Sequence, residues 1–176
     1  MKIRKGFVTN SSSSSFILAF YNYEGRPDDE AIRVALQQEM DIYKDKVIET
    51  VCNDAIKNIL TPEEVLEFVA DYLHWDAVKQ VEDLCQVDYA YSGELGEFRW
   101  KDNNGNDITE EIDNVCKKVA IGMAKKEVGY YVDNKKNNLI FSKVRYGSEV
   151  CGEYAYRLEQ SVIPNLSQTI FTASFH

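Results

Sequence analysis

Apolar side chains recur at two different periods along the first part of the chain, and the two periods predict different secondary structures. Residues 2–8 alternate imperfectly, and residues 16–23 are rich in aromatic and other apolar side chains. We predict a strand in each segment, joined as an N-terminal β-hairpin over residues 1–26. Over residues 32–59 the apolar positions recur mostly every four residues, which predicts an amphipathic helical segment with one break near Asp41.

Helix-start signals predict further helices in the centre of the chain. Thr61 is followed by proline and stands three residues before Glu64, a pattern that predicts an N-terminal cap and a capping box. The apolar stripe that follows leads to a turn near His74 and then to another helical stripe that ends at Cys85. Residues 27–90 are therefore predicted to form a helical block.

The last part of the chain alternates between strand and helix patterns. An aromatic segment at residues 97–100 predicts a strand, residues 102–106 predict a turn, and Asp107 or Thr109 caps a long helix. Three further strands are predicted at residues 139–146, 150–158 and 169–175. Residues 91–176 are thus a strand-helix-strands segment.

Strands at both ends of the chain, with helices between them, predict the fold class. We expect one domain over residues 1–176 with an α+β fold. In it the N- and C-terminal strands form an antiparallel sheet, and a central acidic helical block packs on or beside that sheet. No apolar run approaches the ~20 residues that span a bilayer, so we expect a cytoplasmic protein without membrane contact.

The charge of the chain is unevenly distributed. Residues 28–113 hold 23 acidic and 7 basic residues, whereas the rest of the chain holds 6 acidic and 13 basic residues. Such an acidic block can form a negative face that occupies a basic nucleic-acid channel of another protein, or it can simply be a solvated helix surface. The candidate residues of this face are Glu39, Asp45, Glu49, Asp54, Glu63, Glu64, Glu67, Glu82 and Asp83.

A basic region in the C-terminal half offers an alternative. Its lysines and arginine are interleaved with aromatic side chains, a composition that suits direct contact with nucleic acid. The candidate residues are Lys117, Lys118, Lys125, Lys126, Lys143 and Arg145. The net charge of −9 opposes this as the main role, because long-range repulsion slows the approach to a polyanion.

Few residues have the spacing of a catalytic or metal site. Asp71, His74 and Asp76 lie close in sequence and suggest a small enzyme as a third hypothesis. The only other histidine is His176, and a catalytic zinc needs about three protein ligands. We therefore expect no catalytic residue, no metal and no cofactor.

The four cysteines are far apart in sequence and form no Cys-x-x-Cys pair. They are Cys52, Cys85, Cys116 and Cys151. We expect reduced thiols, with the first three acting as small core residues of helices.

The serine run Ser11–Ser15 separates two short apolar segments. Small hydroxyl side chains bond to nearby backbone amides in turns, so we predict a polar loop or sheet edge. A modified or recognised segment and a phosphate-binding nest remain as alternatives.

The opening residues Met1–Phe16, read as M-K-x-R-x-G-F-V-[ST]-N-S-S-S-S-S-F, resemble those of small phage and prophage-associated proteins of gut-type bacteria. Thr9 stands where serine is usual, and Ile163–His176 is similar to the ends of some members. The resemblance implies a phage accessory protein in the host bacterial cytoplasm. Small acidic proteins of that origin often block defence enzymes, including CRISPR nucleases. We therefore expect an inhibitor that binds a nucleic-acid-dependent host protein.

Overall fold

The computed structural model describes residues 13–43, 46–85, 88–92, 97–133, 138–147 and 162–175. The elements in chain order are β1 Ser13–Tyr21, α1 Asp28–Tyr43, α2 Lys46–Lys57, β2 Ile59–Leu60, α3 Pro62–Tyr72, α4 His74–Cys85, β3 Asp88–Ser92, β4 Glu97–Lys101, α5 Thr109–Val132, β5 Leu139–Gly147, a 3-10 helix Ile163–Asn165, and β6 Thr169–Phe175. The strands predicted at residues 2–8 and 150–158 lie outside the described residues.

The chain divides into two compact units. The first contains residues 1–65 and 131–176, and the second contains residues 66–130. The expectation of a single domain over the whole chain stays a prediction.

The first unit is built on a four-stranded antiparallel sheet in the order β2-β5-β1-β6. Strand β1 lies in the middle, and its partners β5 and β6 come from the C-terminal part of the chain. This arrangement confirms the predicted α+β fold and its antiparallel sheet of N- and C-terminal strands. The short strand β2, which pairs with Ser142 and Phe141 of β5, was not predicted.

The prediction of a polar loop or sheet edge is wrong for the three serines that the structure describes. Ser13, Ser14 and Ser15 belong to β1, and Ser14 and Ser15 are only 1% and 3% exposed. Pairing on both sides of β1 imposes the extended conformation, because tertiary context overrides local preference. An extended, buried segment does not form a phosphate nest and leaves these two hydroxyls inaccessible to a modifying enzyme. Ser11 and Ser12 lie outside the described residues.

Both faces of β1 are buried, which explains its continuous apolar run. Alternate residues Phe16, Leu18 and Phe20 pack in one core with α1 and α2. Ile17 and Ala19, which point to the opposite face, are also buried. A strand covered on both faces needs no alternation of polar and apolar residues.

The second unit has a core around Trp100 of the β3–β4 hairpin. Trp100 is fully buried against Val78, Val81 and Cys116. Its indole Nε1 donates a hydrogen bond to Asp113 Oδ1 at 2.9 Å. The predicted turn at residues 102–106 is present.

This turn is held by the carboxylate of Asp102, which accepts bonds from the backbone N–H groups of Asn104 and Asn106, both at 2.8 Å. These bonds, together with the side-chain amide of Asn106, lower the pKa of Asp102. Gly105 has φ +82°, a conformation that glycine adopts without strain.

Cysteine burial agrees with the prediction at two of the described positions. Cys52 and Cys116 are free and buried, and burial raises the pKa of each thiol. Cys85 is free but exposed at the end of α4, so its assignment to a core is wrong. Cys85 lies about one turn after the buried Val81, but it is the last residue of α4, where the helix has left the core. Cys151 lies outside the described residues.

Candidate functional site

Helix α3 begins with the predicted capping box. The carboxylate of Glu64 accepts a hydrogen bond from the backbone N–H of Thr61 at 2.7 Å, and Thr61 Oγ1 accepts one from the N–H of Glu64 at 3.2 Å. Hydrogen bonding to the carboxylate by the backbone N–H of Thr61, and to a lesser extent by its side chain, holds the pKa of Glu64 below its ordinary value. The cap therefore fixes the start of the helix, and Thr61 favours the ionised form of this carboxylate.

One side of α3 is apolar and the other is acidic. Val65, Val69 and Ala70 are buried. Four carboxylates are exposed, and at 100° per residue they fall within an arc of about 100° on the side away from Val65 and Val69. We call this set the α3 acidic face: Glu63, Glu64, Glu67 and Asp71.

The α3 acidic face has about the charge spacing of a nucleic-acid strand. Glu63 and Asp71 are separated by about 12 Å along the helix axis, at 1.5 Å per residue. The steps between successive charges are about 1.5, 4.5 and 6 Å along the axis. Their mean of about 4 Å is close to the roughly 3.4 Å per charge along one strand of duplex DNA, although the spacing is uneven. Helix α3 contains no Lys or Arg, and the described part of the chain shows no ion pair to these carboxylates.

Helix stability accounts for Glu63 and Glu64, which lie in the first turn of α3, but not for Glu67 and Asp71. Glu63, Glu67 and Asp71 are spaced four residues apart, where like charges repel by about 0.2–0.5 kcal/mol per pair. Asp71 also lies in the last turn, where a carboxylate opposes the helix dipole. Glu67 and Asp71 therefore cost folding energy, and no ion-pair partner for them is present among the described residues. Asp71 was missing from the predicted acidic face, although its spacing from Glu67 was a usable signal.

The other predicted acidic residues are divided between the two units. Glu39 and Asp54 are half-buried and Glu49 is exposed in the first unit, while Glu82 is half-buried and Asp83 exposed in the second. Asp45 lies outside the described residues. An acidic surface that joins all of these residues stays a prediction.

Asp54 has a structural role that the sequence did not indicate. Its Oδ2 accepts a hydrogen bond from the backbone N–H of Arg145 at 3.0 Å, and its Oδ1 accepts one from Asn58 Nδ2 at 3.0 Å. Asp54 thus ties α2 to β5. Each of its two carboxylate oxygens therefore already accepts one hydrogen bond within the fold.

The predicted basic residues are accessible in most cases. Lys117, Lys118, Lys125 and Lys126 are exposed on α5, and on β5 Arg145 is exposed while Lys143 is half-buried. Lys118 and Lys125 are two helical turns apart and share a face with the exposed Ile121. The α5 lysines belong to the second unit, whereas Lys143 and Arg145 belong to the first.

The residues of the enzyme hypothesis lie on two helices. Asp71 is in the last turn of α3, whereas His74 begins α4 and Asp76 lies in its first turn. The half-buried ring of His74 makes an edge contact with Trp75, with centroids 5.8 Å apart. Within the described ranges no group of three or more His, Cys, Asp or Glu side chains is placed to hold a metal ion.

The structure thus defines a mixed α+β protein with a helical acidic face. Comparison with known protein families, with curated proteins and with solved structures finds no match for this chain. Across the described segments, no helix combines the length and the apolar character needed to cross a membrane.

Proposed function

We propose that this protein is a phage-encoded, non-enzymatic inhibitor of a host nucleic-acid-processing or defence protein, such as a CRISPR effector. It occupies the basic groove of that protein in the bacterial cytoplasm and excludes the nucleic acid. The observation that carries the proposal is the α3 acidic face, whose average charge density along the helix is close to that of a nucleic-acid strand and which has no ion-pair partner among the described residues.

Physical considerations favour a folded acidic helix as the competitor. Its carboxylates are fixed on an already ordered backbone, so binding does not include the cost of forming the helix. Complementary potential also steers a negative face toward a basic groove and speeds association. Because the attraction is electrostatic, the complex weakens as salt rises.

The test is a pull-down of tagged protein from a nuclease-treated bacterial lysate, followed by competition with duplex DNA. We expect a stoichiometric protein partner that is released by DNA and by salt. The variant E67Q/D71N removes two charges from the α3 acidic face and should lose this partner. The matched control E110Q/E111Q removes two exposed charges from the first turn of α5 and should keep it. Equal retention by both variants would contradict the proposal.

A second candidate is direct binding of nucleic acid, favoured by the exposed pair Lys118 and Lys125 on one face of α5. The same pull-down without nuclease separates the two candidates. The second function would be supported if the wild type and E67Q/D71N recovered equal amounts of nucleic acid and K118Q/K125Q recovered none.

A further inference from the structure

An aromatic cleft lies in the first unit where β1 joins α1. The rings of Tyr21 and Tyr23 stack in parallel, with centroids 5.2 Å apart and planes 3° apart. Tyr21 is 44% exposed and Tyr23 is 80% exposed. A cavity of about 170 Å³ lies beside them, and its lining includes Arg26, Ala31, Val34 and Ala35. We call this site the tyrosine cleft.

The loop that carries Tyr23 is fixed by the side chain of Asn22. This amide donates from Nδ2 to the backbone oxygen of Arg26 at 2.8 Å and accepts at Oδ1 from the Arg26 N–H at 2.9 Å. Gly25, with φ +62°, closes the turn. Tyr23 is therefore presented by an ordered turn, so a ligand would meet a preformed aromatic surface.

The rim of the tyrosine cleft is negative. Two charged side chains, Glu24 and Arg26, line the cavity. Arg26 is paired with Glu24 and, at 2.9 Å, with Glu30. These pairs leave a surplus of carboxylates around an aromatic face, which repels phosphates and attracts cations.

We propose that the tyrosine cleft receives an arginine side chain of the protein partner. The guanidinium stacks on the open face of Tyr23, since a planar cation is attracted to an aromatic ring. The rim carboxylates accept its N–H groups, and its aliphatic stem contacts the half-exposed Val34. This inference rests on the proposed function for the identity of the partner, because a nucleic-acid groove is rich in arginine.

The test uses the purified protein and no cellular partner, so its result is independent of the pull-down. Three short peptides, identical except for one arginine, lysine or citrulline, are titrated while the tyrosine ring resonances are followed by NMR. Citrulline keeps the planar shape of arginine but lacks its charge. We expect the arginine peptide to shift the Tyr23 resonances most, the lysine peptide less and the citrulline peptide least.

Two variants connect the binding to the ring. Tyr23→Leu should weaken arginine-peptide binding by about 2- to 30-fold, the range of a cation–π contact, whereas Tyr23→Phe should retain most of it. The variant E110Q/E111Q, in the first turn of α5 and outside both proposed sites, serves as a control and should bind the peptide like the wild type. The tyrosine cleft would be overturned if the citrulline peptide bound as well as the arginine peptide, if the Tyr23 resonances did not respond, or if Tyr23→Leu bound the arginine peptide like the wild type. None of these results would bear on the α3 acidic face.

Discussion

Helices α1 and α3 both begin with acidic residues, but their carboxylates have different surroundings. Three of the five carboxylates of α1, Asp28, Asp29 and Glu30, lie in its first turn, where they favour the helix dipole, and Glu30 pairs with Arg26. The other two, Glu39 and Asp41, lie toward its C-terminal end. The carboxylates of α3 continue to its last turn, where Asp71 opposes the dipole. Acidity therefore supports the fold in the first turn of each helix, whereas Glu67 and Asp71 of α3 exceed what the fold requires.

The largest expected effect concerns partner binding. Neutralising two charges of the α3 acidic face in E67Q/D71N should weaken the captured complex by about tenfold or more, because close interfacial charge pairs contribute more than 1 kcal/mol each. Binding of the purified partner at two salt concentrations measures this. The wild type should lose more affinity with salt than the variant, and parallel salt curves would contradict the electrostatic mechanism.

The next effect concerns the start of α3. Thr61→Ala removes the hydroxyl that caps the helix and should lower the free energy of unfolding by about 1 kcal/mol. Urea unfolding followed by circular dichroism measures the change. The conservative Thr61→Ser variant keeps the oxygen and should stay close to the wild type. A Thr61→Ala variant as stable as the wild type would show that the capping box contributes nothing.

Removing one carboxylate from each helix is expected to change the free energy of unfolding in opposite directions. Asp71→Asn should raise the free energy of unfolding by about 0.3–1 kcal/mol, because it relieves an unfavourable dipole contact and a repulsion with Glu67. Asp29→Asn in the first turn of α1 should lower it by a similar amount. Chemical denaturation at low salt measures both. Changes of the same sign would remove the distinction between α1 and α3.

The smallest effect is a pH dependence at Glu64. Its pKa in the folded protein is lower than the ordinary value of 4.5, because Thr61 donates hydrogen bonds to the ionised form. The stability that Glu64 contributes is thus present above that ordinary value and is lost as the pH falls through the lowered folded value. NMR titration should find the pKa of Glu64 higher in Thr61→Ala than in the wild type, and identical titration curves would contradict this cause.

Several structural features could be predicted from short sequence patterns. The capping box of Thr61 and Glu64, the turn at Asp102 and strand β6 at Thr169–Phe175 are all confirmed. The cap and the turn depend on residues that are close in the chain, whereas β6 was indicated by its own sequence pattern although it pairs with the distant β1. The α3 acidic face was partly predicted in the same way, through Glu63, Glu64 and Glu67.

Features that depend on distant parts of the chain were not predictable. The strand conformation of Ser13–Ser15 follows from pairing with β5 and β6, and β2 exists because it pairs with β5. Asp54 looked like a surface charge, since nothing nearby in sequence identifies the N–H of Arg145 as its donor. Sequence periodicity gives the face of a helix but not the element that packs against it.

The position of β1 has a consequence for biosynthesis. Ile17 pairs with Lys143 on one side and with Phe171 on the other, so the middle strand is made first and its neighbours last. Contacts between such distant residues form slowly. While the ribosome is still translating, the apolar run Phe16–Phe20 has no sheet to join and is exposed to aggregation or to chaperones. Folding of the first unit is therefore completed only after residues 169–175 have left the ribosome.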